Sequence, residues 1–185
     1  HQGATPRHCP ATDPDAGIQW LSYRDLSREV GIRTASIHYH FPTKPDLAVA
    51  LVRRYREAVG EAMADIAVTK KTVADRLDAT VRLYTDTLNN EARICICAAL
   101  AGEYWSLPRE VQSELRRLIS DSEKWIARFL AEGRSRGEIK GGETSSLARL
   151  WYAALQGALL VARTGTSDTL REVATALREL TLNTK

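Results

Sequence analysis

The chain has 185 residues, of which 44% are hydrophobic and 26% charged, and its formal net charge is +3. This composition is typical of an ordinary globular protein and excludes a polycation, so any contact with nucleic acid must come from a local surface. The longest apolar runs, residues 94–102 and 151–162, are shorter than the roughly 20 residues of a membrane span, and no signal peptide opens the chain, which favours a cytoplasmic protein with no membrane partner.

The first segment, residues 1–16, is predicted to be irregular. It contains Pro6, Pro10 and Pro14 and almost no large apolar side chain, and that spacing forbids a continuous helix. From Ser22 onward the apolar residues recur with the period of an α-helix, and no sustained strand-like alternation appears. The sequence therefore predicts an all-α fold.

A helix-turn-helix is predicted over residues 22–47, SYRDLSREVGIRTASIHYHFPTKPDL. Gly31 stands where the chain must turn sharply, and a positive φ is expected there. Pro42 ends the second helix, since the residue before a proline is pushed out of helical geometry. The expected caps are Ser22 with Asp25, Thr34, and Thr43 with Asp46. The expected inner faces are Leu26 with Val30 and Ile37 with Phe41, with Ile32 at the corner.

Six helices are predicted from Lys44 onward, and their expected bounds are 44–66, 72–89, 94–105, 108 into the glycines at 133–142, 144–163 and 168–182. Pro108 suits the first turn of the longest one. The helix at 144–163 is apolar nearly all round, so it must be covered on more than one side. A partner subunit is the simplest explanation for what covers this helix, and we therefore expect a homodimer.

The helix-turn-helix region carries a specific pattern in Arg24-Asp25-Leu26, Val30-Gly31-Ile32, Ser36-Ile37-His38-Tyr39-His40-Phe41-Pro42-Thr43-Lys44 and Asp46-Leu47. It resembles the TetR family of transcriptional regulators. The resemblance implies an N-terminal helix-turn-helix DNA-binding domain at residues 17–54. It also implies a larger C-terminal helical domain for ligand binding and dimerisation at residues 55–185.

The resemblance further implies which side chains contact double-stranded operator DNA. Base edges would be faced by Thr34, Ala35, His38 and Tyr39, and Arg24 would reach a base or the backbone. Phosphates would be held by Ser36, Tyr39, His40 and Lys44. The whole DNA-contact set is Arg24, Arg33, Thr34, Ala35, Ser36, His38, Tyr39, His40 and Lys44. Two alternatives stay open, in which His40 is a packing residue and the two arginines are solvated surface charges.

One departure from the family lies upstream of the helix-turn-helix. The family has an amphipathic helix there, whereas residues 1–16 hold prolines and polar groups. We hypothesise an altered N-terminus, from a frameshift, a cloning junction or a misassigned start. The alternative function is then a helical ligand-binding dimer with impaired DNA binding.

The C-terminal half holds the candidate ligand and dimer residues, although most of them could instead be ordinary core. Tyrosine and tryptophan can line a pocket while offering a hydrogen-bond donor. The predicted pocket residues are Tyr84, Leu88, Cys97, Leu100, Tyr104, Trp105, Trp125, Phe129, Trp151 and Leu155. The predicted dimer residues are Trp151, Leu155, Leu159, Leu170, Val173 and Leu177.

Cys95 and Cys97 form a C-x-C pair on a predicted helix. Residues two apart point to different sides of a helix and no histidine is near, so no metal site is predicted. Small buried apolar residues are one interpretation, and sensing of redox state or of an electrophile by one thiol is the other. No catalytic residues, no cofactor and no enzymatic constellation are found. The predicted function is a repressor released from its operator by a small apolar ligand.

Overall fold

The computed structural model describes residues 22–31, 33–89, 95–164 and 168–183. These residues form eight α-helices and one short 3-10 helix, which confirms the all-α prediction. The helices are α1 (Tyr23–Val30), α2 (Thr34–His40), α3 (Lys44–Thr69), α4 (Val73–Asn89), α5 (Ile96–Gly102), α6 (Arg109–Ser135), α7 (Thr144–Ala162) and α8 (Thr169–Thr181), with the 3-10 helix at Tyr104–Ser106. The irregular segment 1–16 and the corner residue Ile32 lie outside the described residues, as do the hypothesised changes at the N-terminus.

The helix-turn-helix is formed by α1 and α2. Gly31 has φ +74° at the turn between them, as expected. Thr34 does not cap α2, because the cap position belongs to Arg33 and makes no side-chain hydrogen bond. Thr43 does cap α3, since its hydroxyl accepts from the Asp46 amide while the Asp46 carboxylate accepts from the Thr43 amide. The inner-face prediction holds for Ile37, which is 3% exposed, but not for Val30, which is 57% exposed.

Helix starts and stops in the C-terminal part follow local chemistry. The expected helix at 94–105 is shorter, because α5 ends at Gly102 and a 3-10 turn follows. Pro108 occupies the cap of α6 rather than its first turn. The side chain of Glu143 caps α7 by accepting from the amides of Ser145 and Ser146. The hydrogen bond that it accepts from the Ser145 hydroxyl, followed by those from the two amides, lowers the pKa of Glu143 to about 2.

Two hydrophobic clusters hold the molecule together. One lies among α3, α4, α6, α7 and α8 around the fully buried Trp151, whose indole N–H donates to the Thr181 hydroxyl at 2.9 Å. The other extends from Ile37 of α2 and Leu47 of α3 to Cys95 and Leu100 beside α5 and α6. The second cluster therefore connects the helix-turn-helix to the helices that follow it. The predicted domain boundary after residue 54 falls inside α3, which is one continuous helix.

None of the described helices is both long enough and apolar enough to cross a membrane.

Candidate functional site

The first candidate site is the outer face of α2. Five of its seven residues are exposed, and Ile37 is the buried anchor. Tyr39 is 82% exposed and its ring meets the His40 ring edge-on at 5.2 Å. The helix has no acidic residue in its first turn. A helix of this kind offers hydroxyl, aromatic and imidazole groups to a polyanion without a local repulsive charge.

Tyr23 of α1 positions α2. Its hydroxyl donates to the Phe41 carbonyl oxygen at 2.8 Å, just past the end of α2. Its ring also lies 4.1 Å from the His38 ring, centroid to centroid. The two contacts hold α2 at both its side and its end. The sequence analysis did not assign Tyr23 this role, because the partner atoms are 15 and 18 residues away along the chain.

Most of the residues predicted to contact DNA are exposed. Arg24, Arg33, Ala35, Ser36, His38, Tyr39 and His40 are exposed, and Thr34 and Lys44 are half-buried. Lys44 is the first residue of α3, directly after the capping pair of Thr43 and Asp46. His40 is exposed, so packing in the core does not explain it.

The second candidate site is a partly enclosed cavity of about 50 Å³ between α3, α4, α6 and α7, with the start of α5 on its wall. Its lining mixes aliphatic side chains with hydroxyl, thiol and amide groups. The lining residues are Tyr55, Val59, Met63, Thr80, Leu83, Tyr84, Cys95, Cys97, Leu118, Ser122, Ile126, Tyr152, Gln156 and Leu159. None of these described residues is an aspartate, glutamate, lysine, arginine or histidine.

Cys95 is the polar centre of the cavity wall. Its sulfur lies 3.7 Å from the Tyr55 hydroxyl and 3.6 Å from the Gln156 side-chain nitrogen, which donates to it. A hydrogen bond from Cys97, followed by those from Gln156, Tyr55 and the Ala98 backbone, lowers the pKa of Cys95 to about 5 in spite of burial. The other ionisable groups around it are therefore donors, and Cys95 is the acceptor.

The neighbouring groups stay protonated. The pKa of the Cys97 thiol is raised by its hydrogen bond to Cys95 and by burial. Burial, and then the nearby thiols, raise the pKa of Tyr55, Tyr84 and Tyr152. Two buried atoms on this wall, the Tyr152 hydroxyl oxygen and the Gln156 side-chain oxygen, have no hydrogen-bond partner among the described residues. These two atoms could therefore form hydrogen bonds with a bound molecule.

Comparison with known proteins identifies the family. Residues 73–177 match the family described as Tetracyclin repressor-like, C-terminal domain. A TetR-family transcriptional regulator from Agrobacterium tumefaciens is 30% identical, with a TM-score of 0.83 over 89% of this chain and 88% of that one. The chain belongs to the TetR family of transcriptional regulators.

Two further solved structures share the TetR fold. A TetR transcriptional regulator from Legionella pneumophila is 26% identical, with a TM-score of 0.76 over 86% of this chain and 85% of that one. A regulatory protein TetR from Rhodobacter sphaeroides is 17% identical, with a TM-score of 0.82 over 91% of this chain and 92% of that one, and supports the fold alone. No curated protein sequence matches the chain.

In this TetR-family chain only some of the predicted pocket residues line the cavity. Tyr84 and Cys97 line it, and the Leu88 side chain lies outside the described residues. Trp105 is 91% exposed, so it lines no cavity. The other predicted residues pack elsewhere: Leu100, Phe129, Trp151 and Leu155 are buried in the two clusters, Tyr104 lies beside Arg116, and Trp125 lies against Gly60.

Several cavity residues were missed by the sequence analysis. Tyr55 and Cys95 are 40 residues apart in the sequence, and Tyr152 and Gln156 lie much further along the chain, in α7. Gln156 did leave a signal, because it is the one polar residue in the apolar run 151–162. A polar group at the centre of a buried helix usually needs a buried partner, and here that partner is Cys95.

The predicted dimer residues lie mainly on the inner faces of α7 and α8. All except Val173 are buried inside the protomer, so they support α7 and α8 from within and offer no surface to a partner; these are Trp151, Leu155, Leu159, Leu170 and Leu177. The exposed apolar stripe of α7 consists instead of Leu150, Ala153, Gly157, Leu160 and Val161. The periodicity of an almost wholly apolar helix cannot separate these two faces.

Proposed function

We propose that this TetR-family protein is a homodimeric transcriptional repressor, released from operator DNA by a small, largely apolar ligand that binds in the cavity. The observation that carries the proposal is the path of α3. This one helix begins at Lys44 beside α2 and presents Tyr55, Val59 and Met63 to the cavity. Tyr55 lies roughly 16 Å along the axis from Lys44 at the rise of an α-helix. A ligand that tilts α3 would move the helix-turn-helix with it.

The proposed DNA contacts are those predicted from the sequence. Arg24, Arg33 and Lys44 would supply the positive charge, and α2 would lie in the major groove with Tyr39 and His38 towards the bases. Two such helices from a dimer would contact successive grooves of a pseudo-palindromic site. We propose this role for a DNA-binding regulator in the cytoplasm rather than for an enzyme. Nothing in the described residues favours the ligand-binding dimer with impaired DNA binding.

The ligand would act through its different affinity for two arrangements of the helices. The cavity of about 50 Å³ suits a small compound. Cys95, on its wall, belongs to the same hydrophobic cluster as Ile37 of α2 and Leu47 of α3. Such packing is a physical route from the cavity to the DNA-contacting surface.

A gel shift against the protein's own upstream region tests the DNA-binding half of the proposal, at stated salt concentrations. Lys44→Ala should weaken binding for all sequences and reduce the salt dependence by about one counterion, whereas Tyr39→Ala should also change the preferred sequence. Lys140→Ala is the matched control, because Lys140 is exposed far from α2 and beside the end of α8. Equal losses in Lys44→Ala and Lys140→Ala would contradict the assigned surface.

A further inference from the structure

Cys95 is a buried nucleophile that the proposed DNA-binding role does not use. Its sulfur faces the cavity and lies within 3.7 Å of two donor-bearing side chains, Tyr55 and Gln156. Hydrogen-bond donors around a sulfur favour the thiolate, which is the reactive form of cysteine. Cys97 is different, because its thiol donates towards Cys95 and stays protonated.

The second observation is the pair of unpartnered atoms on the same wall. The Tyr152 side chain is 7% exposed, and its hydroxyl forms no hydrogen bond of normal geometry among the described residues, since its contact with the Cys97 sulfur is a weak one. The Gln156 side-chain oxygen is also unpaired there. One of these groups is a donor and the other an acceptor. A molecule that carries a carbonyl oxygen beside an N–H group would satisfy both.

Charge and volume limit what the cavity can hold. Apart from the Cys95 thiolate, none of the described residues that line it is charged, so an anion would lose its hydration without gaining an ion pair and would be repelled by the sulfur. A water molecule needs about 10–15 Å³ of such space. The cavity of about 50 Å³ therefore matches a compound of only a few non-hydrogen atoms.

We propose that Cys95 adds covalently to small neutral α,β-unsaturated amides that bind in this cavity, with the Tyr152 hydroxyl donating to the carbonyl oxygen and the Gln156 side-chain oxygen accepting from the N–H group. The Cys95 sulfur forms a bond to the β-carbon, and the carbon–carbon π pair moves onto the α-carbon and carbonyl oxygen. The Tyr152 hydroxyl stabilises that oxygen by donating a hydrogen bond. A proton then adds to the α-carbon, so the net reaction adds S–H across the double bond and needs no oxidant and no leaving group.

This inference deepens the proposed function, on which its regulatory meaning rests. An adduct on Cys95 would enlarge a side chain inside the cluster that includes Ile37 and Leu47. Well-packed clusters do not absorb added volume without shifting their neighbours. Binding to the operator should therefore fall after the addition.

The test uses acrylamide, which is small, neutral and carries both a carbonyl oxygen and an N–H group. The full chain is incubated with acrylamide, and the labelled residue is located by mass spectrometry of peptides. With Cys9, which lies outside the described residues, replaced by serine in every sample, we expect one adduct, on Cys95, that is absent in Cys95→Ser and retained in Cys97→Ser. Propionamide, the saturated analogue, should slow the labelling at least fivefold. Acrylate, after correction for its rate with N-acetylcysteine, should react at least tenfold more slowly than acrylamide.

Labelling of Cys97 in place of Cys95, or labelling that propionamide does not slow, would overturn the proposal. Circular dichroism of each variant shows whether it folds, and Tyr152→Phe offers a second test because it removes only the hydroxyl and should weaken the propionamide protection. The labelling needs no DNA, so it is independent of the proposed repressor role. If Cys95 is labelled but the gel shift is unchanged, the cavity chemistry stands and the ligand-released repressor fails.

Discussion

Two thiols separated by one residue differ because the backbone changes between them. Cys95 precedes α5 in an extended conformation, with φ −53° and ψ 121°, whereas Cys97 is inside the helix. The helical geometry expected for residues 94–105 would have pointed the two side chains to different sides. Instead both line the cavity, and the pKa of Cys95 is lowered while that of Cys97 is raised. The backbone conformation at Cys95, together with the side chains from α3 and α7, therefore determines which of the two thiols is the nucleophile.

The acrylamide labelling rate of Cys95 should be nearly independent of pH between 6 and 8. The pKa of Cys95 is about 5, so the thiolate is already the main form across that window. The titratable groups that face it are Tyr55, Tyr84, Cys97 and Tyr152, and raised pKa values keep all four protonated there. N-acetylcysteine, with an ordinary thiol pKa, should react on the order of 100-fold faster at pH 8 than at pH 6. A similar rise for Cys95 would contradict an ionised thiol.

At the scale of elements, α3 and α6 are joined by a buried carboxylate. Glu114 of α6 is 3% exposed. It accepts from Arg53 of α3 at 3.0 Å and from Arg117 of its own helix at 2.7 Å, and Arg56 lies 4.0 Å away. A buried carboxylate of this kind is stabilised by the hydrogen bonds that it accepts, and its main effect is to fix the position of α3 relative to α6. Arg53 is close to the helix-turn-helix, so this contact helps to set the angle of α3.

Glu114→Gln should lower the free energy of unfolding by about 1–3 kcal/mol, because charge-assisted hydrogen bonds in a buried position are replaced by neutral ones. Urea denaturation at one fixed protein concentration measures this change. Glu57→Gln is the matched control, since the Arg54–Glu57 pair is exposed on α3 at 3.8 Å. That variant should change stability by less than about 0.5 kcal/mol. Equal effects in both variants would show that the buried Glu114 contacts contribute no more to the free energy of unfolding than an exposed ion pair.

At the scale of the whole molecule, the exposed apolar stripe of α7 continues onto α8. Leu150, Gly157 and Leu160 lie on the outer side of α7, and Ala176 and Leu180 are exposed on α8. Large exposed apolar patches on a folded protein usually mark a surface that another molecule covers. Gly157 lies near the middle of the stripe, and a Cβ atom there would meet no atom within 4 Å in the protomer. A partner helix could therefore approach closely at this point.

Gly157→Arg should convert the proposed dimer into a monomer, because it places a long charged side chain in the centre of the apolar stripe while leaving the protomer core untouched. Sedimentation equilibrium measures the mass in solution. Operator affinity should fall as well, since a single helix-turn-helix then contacts a single half-site. Gly102→Arg is the control, because Gly102 is also exposed and also has no atom within 4 Å of an added Cβ. A dimer that persists in Gly157→Arg would place the interface elsewhere.

The helix order, the turn at Gly31 and the capping pair of Thr43 and Asp46 could all be predicted from the sequence. These features depend on residues within a few positions of one another, where backbone sterics and local hydrogen bonds decide the outcome. The TetR family was also predictable, from residues 24–47 alone.

The cavity and the dimer surface depend on contacts across the fold. Tyr55, Cys95 and Gln156 meet only because α3 and α7 both approach the residue that precedes α5, and no local pattern in the sequence predicts these contacts. Likewise, Trp151 and Leu150 are adjacent on an apolar helix, yet only packing against the neighbouring helices decides that the first is buried and the second exposed. The sequence alone determined which helices form and which family they belong to. The tertiary structure decided which side of each helix became core, cavity or surface, because burial is a property of neighbours that are distant along the chain.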